Sequence, residues 1–538
     1  MQTRSERWTL GLILAGCLGL TVWTVERLLP PTVPIIRSAI LPCVSYAPFR
    51  DPQHSPFDPA LQIDSTSLRS DLAKIRSVTG CVRTYGLDHG MDAMPGLARE
   101  MGLRLRLGIW LGQDAAANRR EIERAVTLAQ SYPDVIEEVI VGNEVLLRGD
   151  LTAQALAEIL SEVQDRIDLP ISYADVWEFW RRHAEVLLPH VDHIAVHILP
   201  YWEDEPIAVN EAVDYVYRRY AEMQGLFAPQ PVWVGETGWP ARGRSRGPAT
   251  PGVYEQASFI HGLLQRHQTE PLPFNLIESF DQPWKRIQEG AMGGAWGIFE
   301  ASGARRVDWH ARQSQTAERI ALGGLLVAWC IGFWLLWRNH AHGWAWFLAF
   351  FVLGLLAAQV QWAMVWSRNP AEWAGAWAEM TIGLILSMGL THQILRRRFP
   401  LWPEWSGLRR LTGPFLVLWM VAVGLDAYGL ITDGRYRGFG WPFVVGPLVL
   451  SAAAAVMGMR GLWRPNGVRL LALGLGLGGL VIVYQEGLEN TQALVYSQLL
   501  VAVTVTAFVA GHRVGPASLA SEDGAEADQA DSRSSGST

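Results

Sequence analysis

The C-terminal part of the chain sets the strongest limit on its fold. From about Ile320, apolar runs follow one another near 320–337, 344–366, 374–395, 411–432, 440–459, 468–485 and 492–511. A helix needs roughly 20 mostly apolar residues to cross a bilayer. The runs therefore predict a seven-span α-helical transmembrane bundle over 309–513 and exclude a single soluble domain. A further apolar run, Trp8 to Val25, follows Arg4 and Arg7 and predicts an N-terminal transmembrane anchor within 1–32. Leu14-Ala15-Gly16-Cys17 inside that run looks like a lipoprotein cleavage box, so an uncleaved anchor and a lipidated Cys17 both stay open. Either start delivers the next domain to the extracytoplasmic side of the plasma (inner) membrane.

Charge orients the spans. Arg396, Arg397, Arg398, Arg409 and Arg410 share one loop, and Arg460, Arg464 and Arg469 share another. Positively charged loops stay on the cytoplasmic side, and an inside N-terminus puts both loops there. Arg435 and Arg437 dissent, falling outside with Glu486 and Glu489. Residues 514–538, rich in Ser, Gly, Asp and Glu, predict a disordered acidic tail. That tail carries −4 of the net charge of −7, so nothing here resembles a nucleic-acid-binding footprint.

Residues 33–308 have a different pattern. Eight short β-branched runs alternate with amphipathic stretches: Cys43–Ala47, Cys81–Tyr85, Leu103–Trp110, Val135–Val141, Ile171–Ala174, His193–Ile198, Val232–Gly235 and Phe274–Ser279. Helical patterns lie between them, among them 67–78, 118–131, 152–167, 211–223 and 253–266. Eight strand–helix repeats in such a length predict an α/β fold, a (β/α)8 TIM barrel fused to the bundle. No G-x-G-x-x-G follows the first strand, so a dinucleotide site is not supported. Cys43 and Cys81 open neighbouring parallel strands. A bridge is open in an oxidising compartment, but parallel neighbours are awkward for its geometry, and two buried thiols are the favoured expectation.

Active sites of such barrels lie at the C-terminal ends of the strands. Strand four ends Val141-Gly142-Asn143-Glu144 and strand seven ends Val234-Gly235-Glu236-Thr237-Gly238-Trp239-Pro240. Each places a carboxylate just beyond an apolar run. Two such carboxylates are the minimum for glycoside hydrolysis, one as acid/base and one as nucleophile. Aromatic residues at or beyond strand ends supply candidate platforms for sugar faces: Tyr46, Tyr85, Tyr201, Trp202, Trp239, Phe280 and Trp284. His193 and His197 share a strand face and read as a strand histidine and a rim histidine rather than metal ligands; no metal or cofactor is expected.

At these residues the chain resembles glycoside hydrolase family 17, the β-1,3-glucan-active enzymes, over roughly 40–300. The resemblance rests on Val44-Ser45-Tyr46-Ala47-Pro48-Phe49, Val82-Arg83-Thr84-Tyr85, Gly142-Asn143-Glu144, Gly235-Glu236-Thr237-Gly238-Trp239-Pro240 and Glu278-Ser279-Phe280-Asp281-Gln282-Pro283-Trp284-Lys285. It implies a retaining mechanism with Glu144 as acid/base, its pKa raised, and Glu236 as nucleophile. Asn143 is implied to hold the sugar 2-hydroxyl, with Glu278, Lys285 and Glu289 near the site. Gln282 departs from the family's glutamate and puts the local charge network in doubt. Membrane-bound bacterial proteins with this barrel and a multi-span bundle include some described as β-(1,6)-glucan synthases. The resemblance thus implies cleavage of β-1,3-glucan with transfer to a sugar hydroxyl or to water. A catalytically silent glucan-binding export accessory is the alternative. The short inside loops hold no D-x-D or Q-x-x-R-W pattern, so the chain is expected to edit glucan exported by another protein, a glucan synthase or exporter. Glu379, Asp426, Asp433, Glu486 and Glu489 are expected at the outer leaflet, lining a groove for glucan or a partner subunit.

Overall fold

A computed structural model describes residues 36, 40–309 and 341–511. The expected N-terminal anchor, the run at 320–337 and the acidic tail lie outside the described residues. The eight expected strands all form: β1 Cys43–Ser45, β2 Cys81–Arg83, β3 Arg104–Ile109, β4 Ile136–Asn143, β5 Ile171–Val176, β6 His193–His197, β7 Val232–Thr237 and β8 Phe274–Leu276. They are parallel and close in sequence order, with β1 paired to β8.

Helices wrap the barrel: α1 Ser65–Arg76, α2 Met94–Met101, α3 Ala115–Ser131, α4 Ala153–Gln164, α5 Trp177–Leu187, α6 Val209–Phe227 and α7 Val253–Thr269. Their starts are written locally. Asp64, Asp114 and Thr152 each accept a backbone N–H of the first turn of α1, α3 and α4. On α1, Leu68, Leu72 and Ile75 recur at four- and three-residue spacing and are buried against the sheet. After β8 the short helix α8, Arg286–Gly293, folds across the mouth.

The register pairs Val44 with Val82, which sets Cys43 opposite Cys81. The two form a disulfide across a Cα–Cα distance of 4.5 Å, against the expectation of free thiols. Neighbouring parallel strands bring the first residues of β1 and β2 into bridging range here, so the geometric objection fails.

The helical region comprises α9 Ala341–Trp366, α10 Pro370–Arg398, α11 Ser406–Asp433, α12 Trp441–Val456, α13 Asn466–Glu486 and α14 Thr491–Gly511. Among the described residues, four segments are long and apolar enough to cross a bilayer: Pro370–Arg398, Ser406–Tyr436, Asn466–Glu486 and Thr491–Ala510. Phe351–Trp366 and Trp441–Val456 are shorter apolar helices.

The barrel meets one end of these helices. Arg286 donates to Met364 O (2.8 Å) and Arg244 pairs with Glu486. The arginine-rich turns lie at the other end, where Arg397 approaches Gly458. Arg435 and Arg437, the dissenters from the charge pattern, sit at the barrel end. The Arg435 guanidinium lies 5.3 Å from the Trp202 ring centre, and Arg437 O accepts from Arg244. Three of the five acids expected at the outer leaflet are engaged within the protein. Glu486 is taken by Arg244, Asp433 by Arg437 at 3.6 Å, and Asp426 accepts from the Tyr496 hydroxyl at 2.9 Å.

Candidate active site

Glu144 follows the last residue of β4, and its backbone is left-handed at φ 53. A side-chain-bearing residue there is strained, as functional residues often are. Gly142 two residues earlier has φ 89, and a Cβ on it would stand 2.8 Å from Val145 Cγ2. The chain thus turns sharply at Gly142-Asn143-Glu144, and the turn aims the carboxylate across the mouth. Glu144 N donates to Ala174 O on β5 at 2.8 Å, which pins the turn to the sheet.

Glu236 lies near the end of β7 and is buried. Arg83, from the end of β2 and 1% exposed, donates Nη1 to Glu236 Oε1 at 2.8 Å and to Gly235 O at 2.9 Å. Its Nη2 donates to Asn143 Oδ1. This fixes the Asn143 amide, because its oxygen is taken and its nitrogen is left to donate. The motif at β2 contains Arg83, but strand-end reasoning did not single it out as a site residue. A charged residue closing an apolar strand, with no nearby partner in sequence, was the available signal.

His197, at the end of β6, is buried between the two carboxylates. Its Nδ1 lies 3.0 Å from Glu144 Oε1 and its Nε2 lies 3.8 Å from Glu236 Oε1. The expected rim histidine is therefore a central residue. His193, four residues earlier, sits 3.5 Å from Glu138 lower in the barrel. A Cβ on Gly235 would stand 3.0 Å from His197 Cδ2, so the Gly-Glu pair on β7 makes room for the imidazole.

Burial pushes the Glu144 carboxyl up, but the hydrogen bond and charge of His197, with Arg148 and Lys285, outweigh it and hold the carboxyl below its usual range. This corrects the expectation of a raised Glu144. Burial pushes His197 down, yet the Glu236 and Glu144 carboxylates leave it above the ordinary histidine value. Glu144, His197 and Glu236 present ligand-type atoms within 4.8 Å of one another. They suit a metal poorly. The Glu236 oxygen nearest the imidazole already carries the Arg83 guanidinium, and His197 Nδ1 faces Glu144. A cation there would meet fixed positive charge.

Glu278, beyond β8, is fully buried, and burial pushes its pKa up to about 7 even though Lys285 Nζ is 3.2 Å away. Burial also raises Glu289, partly offset by Lys285 and reinforced by Glu144 and Glu236. Gln282 does not enter this charge network. It donates to Ala47 O at 2.9 Å and accepts from Trp284 Nε1 at 3.0 Å, tying the β1 and β8 loops together.

The aromatic platforms divide. Tyr85 and Trp284 are half-buried, Tyr85 under the Arg83 guanidinium and Trp284 edge-on to Phe57. Tyr46, Tyr201, Trp239 and Phe280 are each 0% exposed and present no face to a sugar. The Tyr46 hydroxyl donates to Asp71 at 3.0 Å, the Tyr201 hydroxyl to Arg244 O at 2.7 Å, and Trp239 Nε1 to Thr250 O at 3.1 Å; Phe280 stacks on Phe299. These four build the walls behind the site. Trp110, 42% exposed at the end of β3 and covered by the Arg148 guanidinium at 4.2 Å, is an open ring not counted among the platforms.

Residues 43–297 match the BtgE/BtgC glycoside hydrolase domain. A glucan 1,3-β-glucosidase of Schizosaccharomyces pombe is 28% identical over 231 residues, 40% of this chain and 72% of that protein. A glucan 1,3-β-glucosidase of Candida albicans is 24% identical over 259 residues, 44% of this chain and 84% of that protein. The match spans only 42% of the length of a btgE relative from Aspergillus fumigatus, which is 23% identical over 44% of this chain. Among solved structures, a β-1,3-glucanosyltransferase of Rhizomucor miehei is similar at 22% identity and a TM-score of 0.44, over 50% of this chain and 98% of that one. The matched segment contains Glu144, His197 and Glu236, so the similarity to a glycoside hydrolase domain falls on the barrel that carries them.

Proposed function

We propose that the protein is a membrane-anchored retaining enzyme acting on β-1,3-glucan. The observation that carries this reading is the facing pair on β4 and β7, with Glu144 and Glu236 oxygens within 4.8 Å of each other. Retaining glycosidases hold their carboxyl groups about 5–5.5 Å apart, and inverting ones about 6.5–9.5 Å. Arg83 occupies Glu236 Oε1, so Oε2 is the oxygen presented for attack.

In the first step Glu236 Oε2 attacks the anomeric carbon and the glycosidic C–O bond breaks. The departing oxygen takes the proton of Glu144. In the second step an acceptor hydroxyl attacks the same carbon, gives its proton to Glu144, and frees Glu236. Asn143 Nδ2 is directed to the sugar 2-hydroxyl, a bond that strengthens as the oxocarbenium character grows. Tyr85 and Trp284 line the cleft, backed by the Lys285–Glu278 pair. No cofactor is needed.

The acceptor is water or a sugar hydroxyl. Transfer to a 6-hydroxyl makes a β-1,6 link or branch without an activated nucleotide. The helices support a multi-pass location in the plasma (inner) membrane, with the arginine-rich turns inside and the barrel outside. A disulfide between Cys43 and Cys81 suits that oxidising side. There the barrel meets glucan delivered by a separate synthase or exporter.

The test is incubation of the full chain, in detergent or lipid discs, with β-1,3-oligosaccharides, followed by linkage analysis. Longer products containing 1,6 links are expected beside shorter ones. Only shorter products would leave plain endo-hydrolysis, and turnover by Glu236→Ala at the wild-type rate would refute the mechanism.

A further inference from the structure

Two loops at the barrel mouth rest on the helical region, and both are fastened by polar contacts rather than by apolar packing alone. The loop after β7 sends Arg244 downward. Its side chain is 2% exposed, pairs with Glu486 at the end of α13, donates to Arg437 O and lies 4.6 Å from the Phe439 ring centre. Ser245 N donates to Gln492 Oε1 at 3.1 Å, and Ser245 O accepts from Asn490 Nδ2 at 2.9 Å. The second loop is the segment 283–293, which carries Lys285 and Glu289. Arg286 Nη2 donates to Met364 O at 2.8 Å and Val365 O at 2.6 Å, in the last turn of α9. Gly290 breaks the helix at φ 75, and a Cβ on it would stand 2.7 Å from Tyr436 O. The loops pack on each other as well: a Cβ on Gly243 would stand 2.7 Å from Met292 Cβ, and Ala241 N donates to Ala295 O, just past the second loop, at 2.8 Å.

A tether would need none of this. An anchor that only keeps a barrel near a membrane works through a flexible linker, whereas a desolvated ion pair holds only in one orientation. The second loop also carries charge to the chemistry. Lys285 holds Glu278 at 3.2 Å, and its field, with that of Glu289, reaches Glu144 and Glu236.

We infer that the barrel-facing end of the helical region, through the Tyr436 carbonyl and the α9 terminus, is a positioning element of the active site that holds segment 283–293, so that Lys285 stays against Glu278 and keeps its charge at the site. The inference rests on the glycosidase reading above. Arg286 and Gly290 are positioning residues. They act through Lys285.

The experiment uses the full chain in lipid discs with Arg286→Ala, Arg286→Lys and Gly290→Ala, whose methyl would meet Tyr436 O, on β-1,3-oligosaccharides. The alanine variants should lose roughly 5- to 30-fold in kcat with KM held within about twofold. Arg286→Lys should recover most of the rate, since an ammonium can still donate to the two carbonyls. Hydrogen exchange over 283–293 reads the same contacts without catalysis and should quicken in both alanine variants. Unchanged exchange overturns the inference whatever the rates, as does wild-type kcat in both variants or an Arg286→Lys no faster than Arg286→Ala. If the wild-type chain is inert toward the sugar while exchange still quickens, the bracing stands and the glycosidase reading fails.

Discussion

Replacing Arg83 is the sharpest test of the site, because this one side chain on β2 organises three groups from two other strands. Arg83 Nη1 lies 2.8 Å from Glu236 Oε1 and 2.9 Å from Gly235 O, and Nη2 holds Asn143 Oδ1. At 2.8 Å and an effective dielectric near 20, the gross attraction to Glu236 is about 6 kcal/mol. Desolvation of both ions offsets much of it, and removing one partner of such a buried pair costs about 3–5 kcal/mol. In Arg83→Met the Glu236 carboxylate loses its 2.8 Å guanidinium partner, and the Asn143 amide loses the contact that orients it. Loss of one preorganised group at a reacting centre typically costs about 3–4 kcal/mol, or roughly 10²- to 10³-fold in kcat. Arg83→Lys keeps the charge but cannot fork to three acceptors, so a loss of about 10- to 30-fold is expected there, since each tenfold is about 1.4 kcal/mol. Stopped-flow release from an activated aryl β-glucoside isolates formation of the glycosyl-enzyme, where a disoriented Glu236 must show. The expected order is wild type, then Lys, then Met, with the deficit in that first step. A cooperatively folded Arg83→Met whose glycosylation rate stays within threefold of wild type would mean the guanidinium does not organise the nucleophile.

Three further predictions follow from the same geometry. His197→Gln removes the charge that holds Glu144 down, so the alkaline limb of kcat/KM, set by ionisation of the acid, should move to higher pH; a limb that stays put or moves lower counts against the dyad. Gly235→Ala puts a methyl 3.0 Å from His197 Cδ2 and 3.2 Å from Ala195 Cβ, and should cost roughly tenfold in kcat with a smaller change in KM; full activity would show that the ring has slack. Glu278 binds its proton more tightly folded, at about 7, than unfolded, at about 4.5. Its contribution to stability is therefore present below about 4.5 and fades as pH rises through about 7. Thermal melts of Glu278→Gln should show a flatter decline across that window than wild type, and parallel curves would refute the assignment.

The barrel was legible because its signal is local and repeated. Each strand is a short β-branched run, and each helix carries its own cap, such as Asp64 or Asp114. The meeting of Glu144 and Glu236 at the barrel mouth was legible because a barrel gives strand ends a fixed place. What stayed hidden was made by closure. Arg83 meets Glu236 across 153 residues of sequence, and His197 meets Glu144 across 53. Neither pairing has a trace in spacing. The rings failed for a related reason. A position just beyond a strand end does not say whether the loop folds outward or back over the core, and Tyr46, Tyr201, Trp239 and Phe280 all fold back. The stray arginines are the converse case: the charge rule counts loops in water, whereas Arg435 and Arg437 lie against the barrel.

The lowered Glu144 bears on how the acid is supplied. A carboxyl kept protonated by burial alone would stand in an apolar pocket, and Glu144 does not. Its neighbour His197 is held above the ordinary histidine value by two carboxylates. A proton on His197 Nδ1 is one 3.0 Å hydrogen bond from Glu144 Oε1. Moving it across gives a neutral carboxylic acid beside a neutral imidazole, with no uptake from solvent. Covalent attachment of sugar to Glu236 favours that shift, because esterification removes a negative charge 3.8 Å from His197 Nε2 and so weakens the imidazole's hold on the proton. In the mechanism proposed above, the pair therefore becomes more acidic as Glu236 reacts, which is when the leaving oxygen needs its proton.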